Sequence, residues 1–354
     1  MNWSAITHPT LLLDTTIAQR NLERMAAKAR SSGTLFRPHF KTHQSATIGR
    51  WFKDVGVDHI AVSSANMAVY FACRGWHNIL VSFPFHPAQW GLLRPLADSI
   101  DLQLLVAHQA GAAALAQLAD RPVHVWLELD SGQGRTGLPM DEPALLQQVV
   151  TTLRANPKIH IKGVHIHAGQ SYHCRGAQEL KNLAADLLPR IAQLRQDWLT
   201  PESWALSFGD TPLCSYLQDL SFADEIRPGN FIFYDLMQHQ IGACTPEDIA
   251  VAVACPVVDD YFVYGGAVHL SKDRLQVKGE KVFGAVATPT GTGWAIPSDI
   301  YQQPLTNLSQ EHGWLSKTAP PLAYGTVVPV LPVHSCLTAE AMPYYLTTDG
   351  RRIE

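Results

Sequence analysis

The sequence predicts a (β/α)8 barrel followed by a mostly β domain. Short β-like runs alternate with helix-compatible segments about eight times between residues 15 and 245, which is the pattern of a barrel of parallel strands. From about residue 246 the chain changes to valine-rich runs separated by Gly, Pro and Thr, which is typical of antiparallel β structure. A doubly wound open sheet is the alternative for the first part.

The barrel strands are predicted from apolar runs bounded by turn residues. These runs cover residues 35–41, 59–64, 79–84, 102–107, 123–129, 161–167, 204–210 and 225–231. Helix-compatible stretches lie at 45–55, 65–75 and 178–198, and Leu22, Met25, Ala26 and Ala29 recur at helical spacing before the first strand. We therefore assign residues 15–245 to the barrel.

The second domain is predicted from residues 246–354. Its β-like runs cover residues 251–258, 261–268, 282–287 and 326–333, and helical periodicity is scarce between them. An apolar run at residues 9–13 could add a strand to this domain. We therefore assign residues 1–14 to it as well.

Composition and charge argue against several classes of partner. The 354-residue chain has a formal net charge of −4, which gives no electrostatic basis for binding nucleic acid or an anionic membrane. The start of the sequence lacks a signal-peptide pattern, and no apolar stretch approaches the roughly 20 residues that cross a bilayer. The 6 cysteines have no paired spacing, so we expect free thiols in a soluble, cytoplasmic protein.

Polar residues that could carry chemistry lie where predicted strands end. Lys41 ends the first strand, His167 and Tyr172 follow the sixth, and residues 209–211 end the seventh. Because active-site groups of (β/α)8 barrels lie at the carboxyl ends of the strands, we expect the active site there. The Gly-, Thr- and Asn-containing turns near the last two strands suit a phosphate group. No P-loop or GxGxxG pattern follows the first strand, so a nucleotide is not favoured.

His334 and Cys336 are the second feature with a chemical meaning. Ser335 separates the imidazole from the thiol by one residue, so both side chains would point the same way from an extended strand. Imidazole and thiolate groups are zinc ligands, and a metal with two protein ligands keeps the open positions that a catalytic site needs. The alternative is a core histidine beside a buried thiol.

The barrel residues have structural alternatives too. Lys41 could be a solvated charge, Arg135 could pair with Asp130, Tyr172 could be a packed aromatic and Gly209 a plain turn residue. Their joint placement at predicted strand ends favours the functional interpretation.

Several ordered motifs resemble one known family. The segment R-P-H-F-K-T-H at residues 37–43 resembles the cofactor-lysine motif of fold-type III pyridoxal-phosphate enzymes, which have an alanine-racemase-like barrel. Within them, the chain resembles the D-serine dehydratase and D-threonine aldolase group over nearly its whole length. The other matching motifs are D-S-G-Q-G-R-T-G at 130–137, H-A-G-Q-S-Y at 167–172, G-D-T-P at 209–212, R-P-G-N at 227–230 and H-S-C at 334–336.

The resemblance implies roles for individual residues. Lys41 would carry pyridoxal 5'-phosphate and take the α-proton of the substrate, and Tyr172 would line the catalytic pocket. Arg135 would approach the phenolic oxygen of the cofactor. The implied cofactor contacts are Lys41, His39, Arg135, His167, Tyr172, Gly209, Asp210, Thr211, Gly229, Asn230 and Tyr234. His334 and Cys336 would bind Zn2+ or another divalent metal.

The resemblance also implies the reaction and the assembly. The favoured activity is that of a PLP- and metal-dependent dehydratase, an ammonia-lyase that converts D-serine, D-threonine or a related D-β-hydroxy amino acid to a 2-oxo acid and ammonia. The choice rests on Cys336, because the zinc-type D-serine dehydratases have Cys there whereas the aldolases typically have Asp, which suits a harder metal. Val333 departs from the group, which commonly has Asn at that position. A homodimer is implied as well.

Three other activities stay open at this point. A D-threonine aldolase would use the same groups to cleave the Cα–Cβ bond, giving glycine and an aldehyde. An amino-acid racemase would need a second acid–base group on the opposite face of the substrate, and none is assignable from the sequence. A non-catalytic PLP-carrier barrel would lack the β domain and its metal pair.

Overall fold

The computed structural model describes the whole chain, Met1 to Glu354. Contacts divide it into two compact units. We name them the barrel unit, which comprises Met25–Lys41 and Gly49–Gly229, and the β unit, which comprises Met1–Arg24, Thr42–Ile48 and Asn230–Glu354. None of the helices has both the length and the apolar character that crossing a membrane requires.

Helices and strands alternate in the first part of the chain, and strands predominate in the second. Up to residue 241 they are β1 (Thr10–Leu13), α1 (Thr15–Ser31), β2 (Leu35–Phe36), α2 (Ala46–Asp54), β3 (His59–Val62), α3 (Ala65–Ala72), β4 (Asn78–Pro84), α4 (Trp90–Leu93), β5 (Asp101–Val106), α5 (Gln109–Leu118), β6 (Val123–Asp130), β7 (Leu138–Pro139), α6 (Pro143–Arg154), β8 (Ile159–His167), α7 (Ala177–Leu194), α8 (Thr200–Glu202), β9 (Ala205–Gly209), α9 (Thr211–Tyr216), β10 (Glu225–Ile226) and α10 (Leu236–Ile241). From residue 251 they are β11 (Val251–Asp259), β12 (Phe262–Tyr264), α11 (Ala267–Leu270), β13 (Leu275–Val277), β14 (Glu280–Val282), β15 (Gly284–Val286), β16 (Thr288–Thr290), β17 (Gly293–Ala295), β18 (Pro304–Leu308), β19 (His312–Leu315), β20 (Val327–Pro332), α12 (Ser335–Ala341), β21 (Tyr345–Thr347) and β22 (Arg352–Ile353).

The barrel unit is built on a parallel sheet with the strand order β2-β10-β9-β8-β6-β5-β4-β3. The segment after β2 brings the two ends of this sheet together. The Phe40 amide donates to the Ala61 carbonyl (2.8 Å), and the Ala61 amide donates to the Pro38 carbonyl (3.0 Å). The predicted barrel is therefore confirmed as a nearly closed one, and the open doubly wound sheet is wrong.

The predicted barrel strands differ from the observed ones mainly at the first and the eighth. Six agree to within two residues at each end, but the runs 35–41 and 225–231 form strand only at Leu35–Phe36 and Glu225–Ile226. Pro38 and Pro228 explain the difference, because proline has no N–H to donate to a sheet. The prediction that these two strands continue to residues 41 and 231 was therefore wrong. Residues 230–232 form a 3-10 turn instead.

The β unit is built on a nine-stranded sheet with the order β12-β19-β18-β15-β20-β11-β1-β21-β22. The early strand β1 pairs with β11 in antiparallel fashion and with β21 in parallel fashion. Ile6, Leu12, Ala254 and Val327 form a buried cluster here. The mostly β character predicted for the end of the chain is confirmed.

One strand prediction in the β unit was wrong. The run 261–268 is strand only at Phe262–Tyr264, and α11 begins at Ala267. A Cβ atom on Gly266 would lie 2.3 Å from the Gln310 carbonyl oxygen, so two backbones approach closely at this point. Only glycine allows that approach, and β12 ends two residues before it.

Candidate active site and metal pair

Lys41 follows a buried and well-anchored segment of the barrel unit. Residues 36–40 are buried, whereas Lys41 itself is exposed. The guanidinium of Arg37 pairs with the Glu225 carboxylate at 2.6 Å, and the Lys41 amide donates to Nδ1 of His39 (3.3 Å). The backbone before the lysine is therefore held rigidly on the barrel. A functional side chain needs such a rigid support to keep its position.

His167 lies at the end of β8 and is neutral at physiological pH. Its Nδ1 is 2.9 Å from the Gly209 carbonyl oxygen, which makes Nδ1 the protonated nitrogen. Burial, and then the positive charges of Arg135 and Lys41, lower the pKa of His167 to about 3. The Tyr172 ring lies 6.4 Å from the His167 ring, centroid to centroid. The structure therefore gathers four predicted site residues around this histidine: Gly209 at the end of β9, and Lys41, Arg135 and Tyr172 in the segments that follow β2, β6 and β8.

Asp130 shapes the loop that carries Arg135. One carboxylate oxygen accepts the amides of Gly132 (3.0 Å) and Gln133 (2.9 Å), and the other accepts the amide of Gly134 (2.9 Å). The carboxylate is therefore used on the backbone of its own loop. The alternative in which Arg135 is a mere ion-pair partner of Asp130 was wrong.

Arg227 is a buried cation to which the sequence analysis gave no role. Its guanidinium donates to the Ser207 hydroxyl (2.6 Å) and to the carbonyl oxygens of Ile166 (2.7 Å) and Ser207 (3.0 Å). A Cβ atom at Gly209 would lie 2.9 Å from an Nη atom of Arg227, so the glycine makes room for this side chain. Burial lowers the pKa of Arg227 to about 10, which still leaves a positive charge fixed inside the barrel at neutral pH.

The two turns predicted to hold phosphate meet in the barrel unit. The Gly229 amide donates to the Thr211 hydroxyl at 3.3 Å, which joins the end of β9 to the segment after β10. Asp210 caps α9 by accepting the Leu213 amide (3.1 Å). Its other carboxylate oxygen is buried, with the Ser171 side chain within hydrogen-bonding reach of the carboxyl group, and burial raises the pKa of Asp210 to about 7. Near neutral pH the carboxyl group can therefore donate as well as accept.

Asn230 and Tyr234 belong to the β unit. The Asn230 side-chain amide donates to Asp235 (2.6 Å), to the Ser335 hydroxyl (3.0 Å) and to Sγ of Cys336 (3.5 Å), so the side chain supports the predicted metal pair. Tyr234 has a φ of +48°, which is costly for a residue other than glycine and is most often retained where function needs it.

His334 and Cys336 lie at the start of α12 and not on an extended strand. His334 is the extended residue before the helix, and Cys336 is in its first turn. The Asp235 carboxylate explains the turn, because it accepts both the backbone N–H (2.9 Å) and the hydroxyl (3.2 Å) of Ser335. The predicted strand geometry of the pair was therefore wrong.

The imidazole of His334 lies between a carboxylate and the thiol. Its Nδ1 is 2.8 Å from a carboxylate oxygen of Asp273, and Cys336 is close enough to hydrogen-bond to it. Burial opposes protonation of His334, but Asp273 and Cys336 outweigh that effect and raise its pKa to about 10. No set of three or more His, Cys, Asp and Glu residues that could hold a metal ion is found in the chain, so these two side chains form a pair.

The surroundings of the pair fit a metal ion. Thr42 Oγ lies 3.2 Å from Sγ of Cys336, and together with the Asn230 amide it can stabilise the thiolate that binds metal. Asp273 occupies Nδ1 of His334, so Nε2 is the nitrogen left to coordinate, as in carboxylate–histidine–zinc triads. Thr42, Asp235 and Asp273 were missed as functional residues. Thr42 lies inside the quoted R-P-H-F-K-T-H motif and Asp235 directly follows Tyr234, but nothing local marks Asp273.

Two family models match this chain, one ending after β10 and the other beginning just before β11. Residues 13–236 match the family model "Alanine racemase, N-terminal domain", and residues 250–348 match the model "Putative serine dehydratase domain". The chain is 29% identical over 366 residues to a D-threo-3-hydroxyaspartate dehydratase of Delftia sp. strain HT23, covering 97% of this chain and 94% of that one. It is 27% identical to a D-serine dehydratase of Dictyostelium discoideum, with 95% and 92% covered.

Two further comparisons concern an aldolase and solved structures. A D-threonine aldolase of Arthrobacter sp. is 27% identical over 235 residues, which covers 64% of this chain and 61% of that one. The solved structure of the Delftia dehydratase superposes with a TM-score of 0.89 at 27% identity, covering 99% of this chain and 98% of that one. A variant of the Delftia protein has also been solved in a metal-free form.

Proposed function

Since the chain belongs to the alanine racemase N-terminal domain family, among the fold-type III pyridoxal-phosphate enzymes, and continues into a serine dehydratase domain, we propose that it is a lyase that dehydrates a D-β-hydroxy amino acid to a 2-oxo acid and ammonia. The observation that carries the proposal is the pair of His334 and Cys336 with its supporting groups. A thiolate and an imidazole suit zinc, and two protein ligands leave room for water and substrate.

Lys41 is the residue on which we place pyridoxal phosphate. When bound there, the cofactor supplies an electron sink for the substrate's Cα. The Lys41 amine would take the α-proton from the substrate. Because His167 is neutral, with its pKa lowered to about 3, it adds no further positive charge beside the lysine. We assign the phosphate to the turns at residues 209–211 and 229–230, where Gly229 and Thr211 meet.

The metal pair addresses the difficult part of the reaction, which is loss of a hydroxyl group. Zinc held by His334 and Cys336 would supply a Lewis acid for that hydroxyl. Thr42, next to Lys41 in the sequence, lies 3.2 Å from Sγ of Cys336. Dehydration needs both a base for the α-proton and a Lewis acid for the hydroxyl group of the same substrate.

Aldol cleavage is the second candidate, because a D-threonine aldolase is among the relatives. One observation favours dehydration. The second ligand is the soft thiol of Cys336 and not a carboxylate, which would suit a harder metal. A racemase and a cofactor-carrier barrel receive no support from the metal pair.

The test is a panel of D-serine, D-threonine and D-3-hydroxyaspartate, assayed for ammonia with zinc and with a chelator. We expect zinc-dependent ammonia release from at least one of them, and none from the L-enantiomers. Ammonia release that is unaffected by chelation would contradict the metal's role. We also propose a homodimer, which the mass from light scattering of the purified holoenzyme tests.

A further inference from the structure

Asp273 makes a directed contact with one of the two proposed metal ligands. Its Oδ2 is 2.8 Å from Nδ1 of His334, although the two residues are 61 positions apart in the chain. About 39% of the Asp273 side chain is exposed, so the carboxylate is not needed to fill the core. The Asp273 carboxylate therefore serves the contact with Nδ1 of His334 and not the packing of the core.

The backbone before Asp273 is strained in a way that holds this contact. Ser271 has a φ of +69°, in the left-handed region that residues other than glycine rarely adopt. Its hydroxyl accepts the Asp273 amide at 3.2 Å, which fixes the direction in which the chain leaves α11. Strain of this kind persists where the surrounding structure over-determines it, and it clusters at functional sites.

Packing of α11 against α12 sets the distance between the two residues. The Thr338 hydroxyl of α12 donates to the Leu270 carbonyl at the end of α11 (3.5 Å). Asp273 follows α11 closely and His334 directly precedes α12. The two short helices therefore place the carboxylate and the imidazole side by side, although the two residues are far apart in the sequence.

We propose that Asp273 is the positioning residue of the metal pair. Its carboxylate accepts the Nδ1–H of His334 and so fixes the tautomer and the ring orientation that present Nε2 to the metal. This inference rests on the metal role proposed above. We do not count Asp273 as a metal ligand, because no group of three or more His, Cys, Asp and Glu side chains that could hold a metal ion is found in the chain.

The chain offers a matched control in the same unit. Glu311 faces His269, but their atoms are 3.9 Å apart, and 43% of the Glu311 side chain is exposed. Glu311→Gln therefore removes a carboxylate near a histidine without touching the metal pair. His334→Ala serves as the reference for a lost ligand.

The experiment measures zinc affinity of the PLP-loaded, zinc-stripped protein by competition with a chromophoric chelator. We expect Asp273→Ala to weaken zinc binding by about 10- to 100-fold. Asp273→Asn keeps a carbonyl acceptor for Nδ1–H, so it should lose less. Glu311→Gln should match the wild type, and the visible absorbance of the bound cofactor should be unchanged in all of these variants.

The outcomes separate a failure of the positioning role of Asp273 from a failure of the metal role of His334 and Cys336. Unchanged zinc affinity in Asp273→Ala, even with a lower midpoint of thermal unfolding, would mean a merely structural role and would overturn the inference alone. If the wild type binds zinc no more tightly than His334→Ala, the proposed metal role fails, and the inference fails with it. Should Asp273→Ala not fold, Asp273→Leu takes its place, because leucine is close to aspartate in size but offers no acceptor for Nδ1–H; wild-type zinc affinity in Asp273→Leu would overturn the inference.

Discussion

The Thr42 hydroxyl lies 3.2 Å from Sγ of Cys336, although 294 positions separate the two residues in the chain. Thr42 directly follows Lys41, and Cys336 closes the H-S-C motif. A single peptide bond therefore joins the proposed cofactor lysine to a residue that contacts a proposed metal ligand. Substitutions on the two sides of this bond should fail in different ways.

Lys41→Ala should abolish both the visible absorbance of bound pyridoxal phosphate and the turnover of D-amino acids. The reason is that the amine is the proposed attachment point of the cofactor and the base for the α-proton. Absorbance spectra of the purified protein and an ammonia assay measure the two effects. Lys181→Ala, which changes an exposed lysine of α7, should behave as the wild type. Normal cofactor absorbance in Lys41→Ala would show that another residue holds the cofactor.

Cys336→Ala should keep the cofactor absorbance but lose zinc-dependent turnover, because it removes one of only two proposed metal ligands. The matched control is Cys73→Ala, which removes an exposed thiol and should leave activity intact. Ammonia release with zinc and with chelator separates the variants. A Cys336→Ala protein that turned over at the wild-type rate in chelator would disprove the metal's role.

Thr42→Val should weaken zinc binding while leaving the shape of the site nearly intact. The hydroxyl can donate to the Cys336 thiolate at 3.2 Å, and hydrogen bonds to charged groups contribute about 1.5–3 kcal/mol, which corresponds to roughly 10-fold or more in affinity. Chelator competition measures the change. Thr42→Ser keeps the hydroxyl and should bind zinc almost as the wild type does; equal affinity of the Val and Ser variants would argue against this hydrogen bond.

Acid should destabilise the protein through its buried histidines, and His43 allows a direct test. Burial lowers the pKa of His43 from 6.5 to about 3. Below pH 6.5 the unfolded chain binds a proton at His43 that the folded state does not bind. The free energy of unfolding is therefore unaffected by His43 above pH 6.5 and decreases as the pH falls toward 3. Between pH 6.5 and 4.5 the loss from one such histidine is about 2 kcal/mol.

The measurement is the free energy of unfolding in urea at pH 6.5 and 4.5, for the wild type and for His43→Gln. The difference between the two pH values cancels any constant destabilisation by the substitution. The variant should lose about 2 kcal/mol less than the wild type over this interval. Equal losses would mean that His43 is protonated in the folded protein at pH 4.5.

The sequence allowed the barrel and the gathering of Lys41, Arg135 and His167 to be anticipated, because parallel strands end at one face of a barrel. It did not reveal the conformation of the H-S-C motif. That turn depends on the Asp235 carboxylate, 100 positions away, which holds Ser335. Asp273 carries no local signal either, since its partner His334 lies on a distant segment of the chain. The shortening of the first barrel strand could be predicted from Pro38, because proline has no N–H to donate to a neighbouring strand.

We propose that the metal pair serves elimination of a hydroxyl group and not cleavage of a carbon–carbon bond. D-Threonine distinguishes the two reactions, because the same substrate can follow either route. Mass spectrometry of the products formed by the zinc-loaded holoenzyme should show 2-oxobutanoate and ammonia in equal amounts. Glycine and acetaldehyde as the main products would contradict the proposed dehydration and identify the protein as an aldolase.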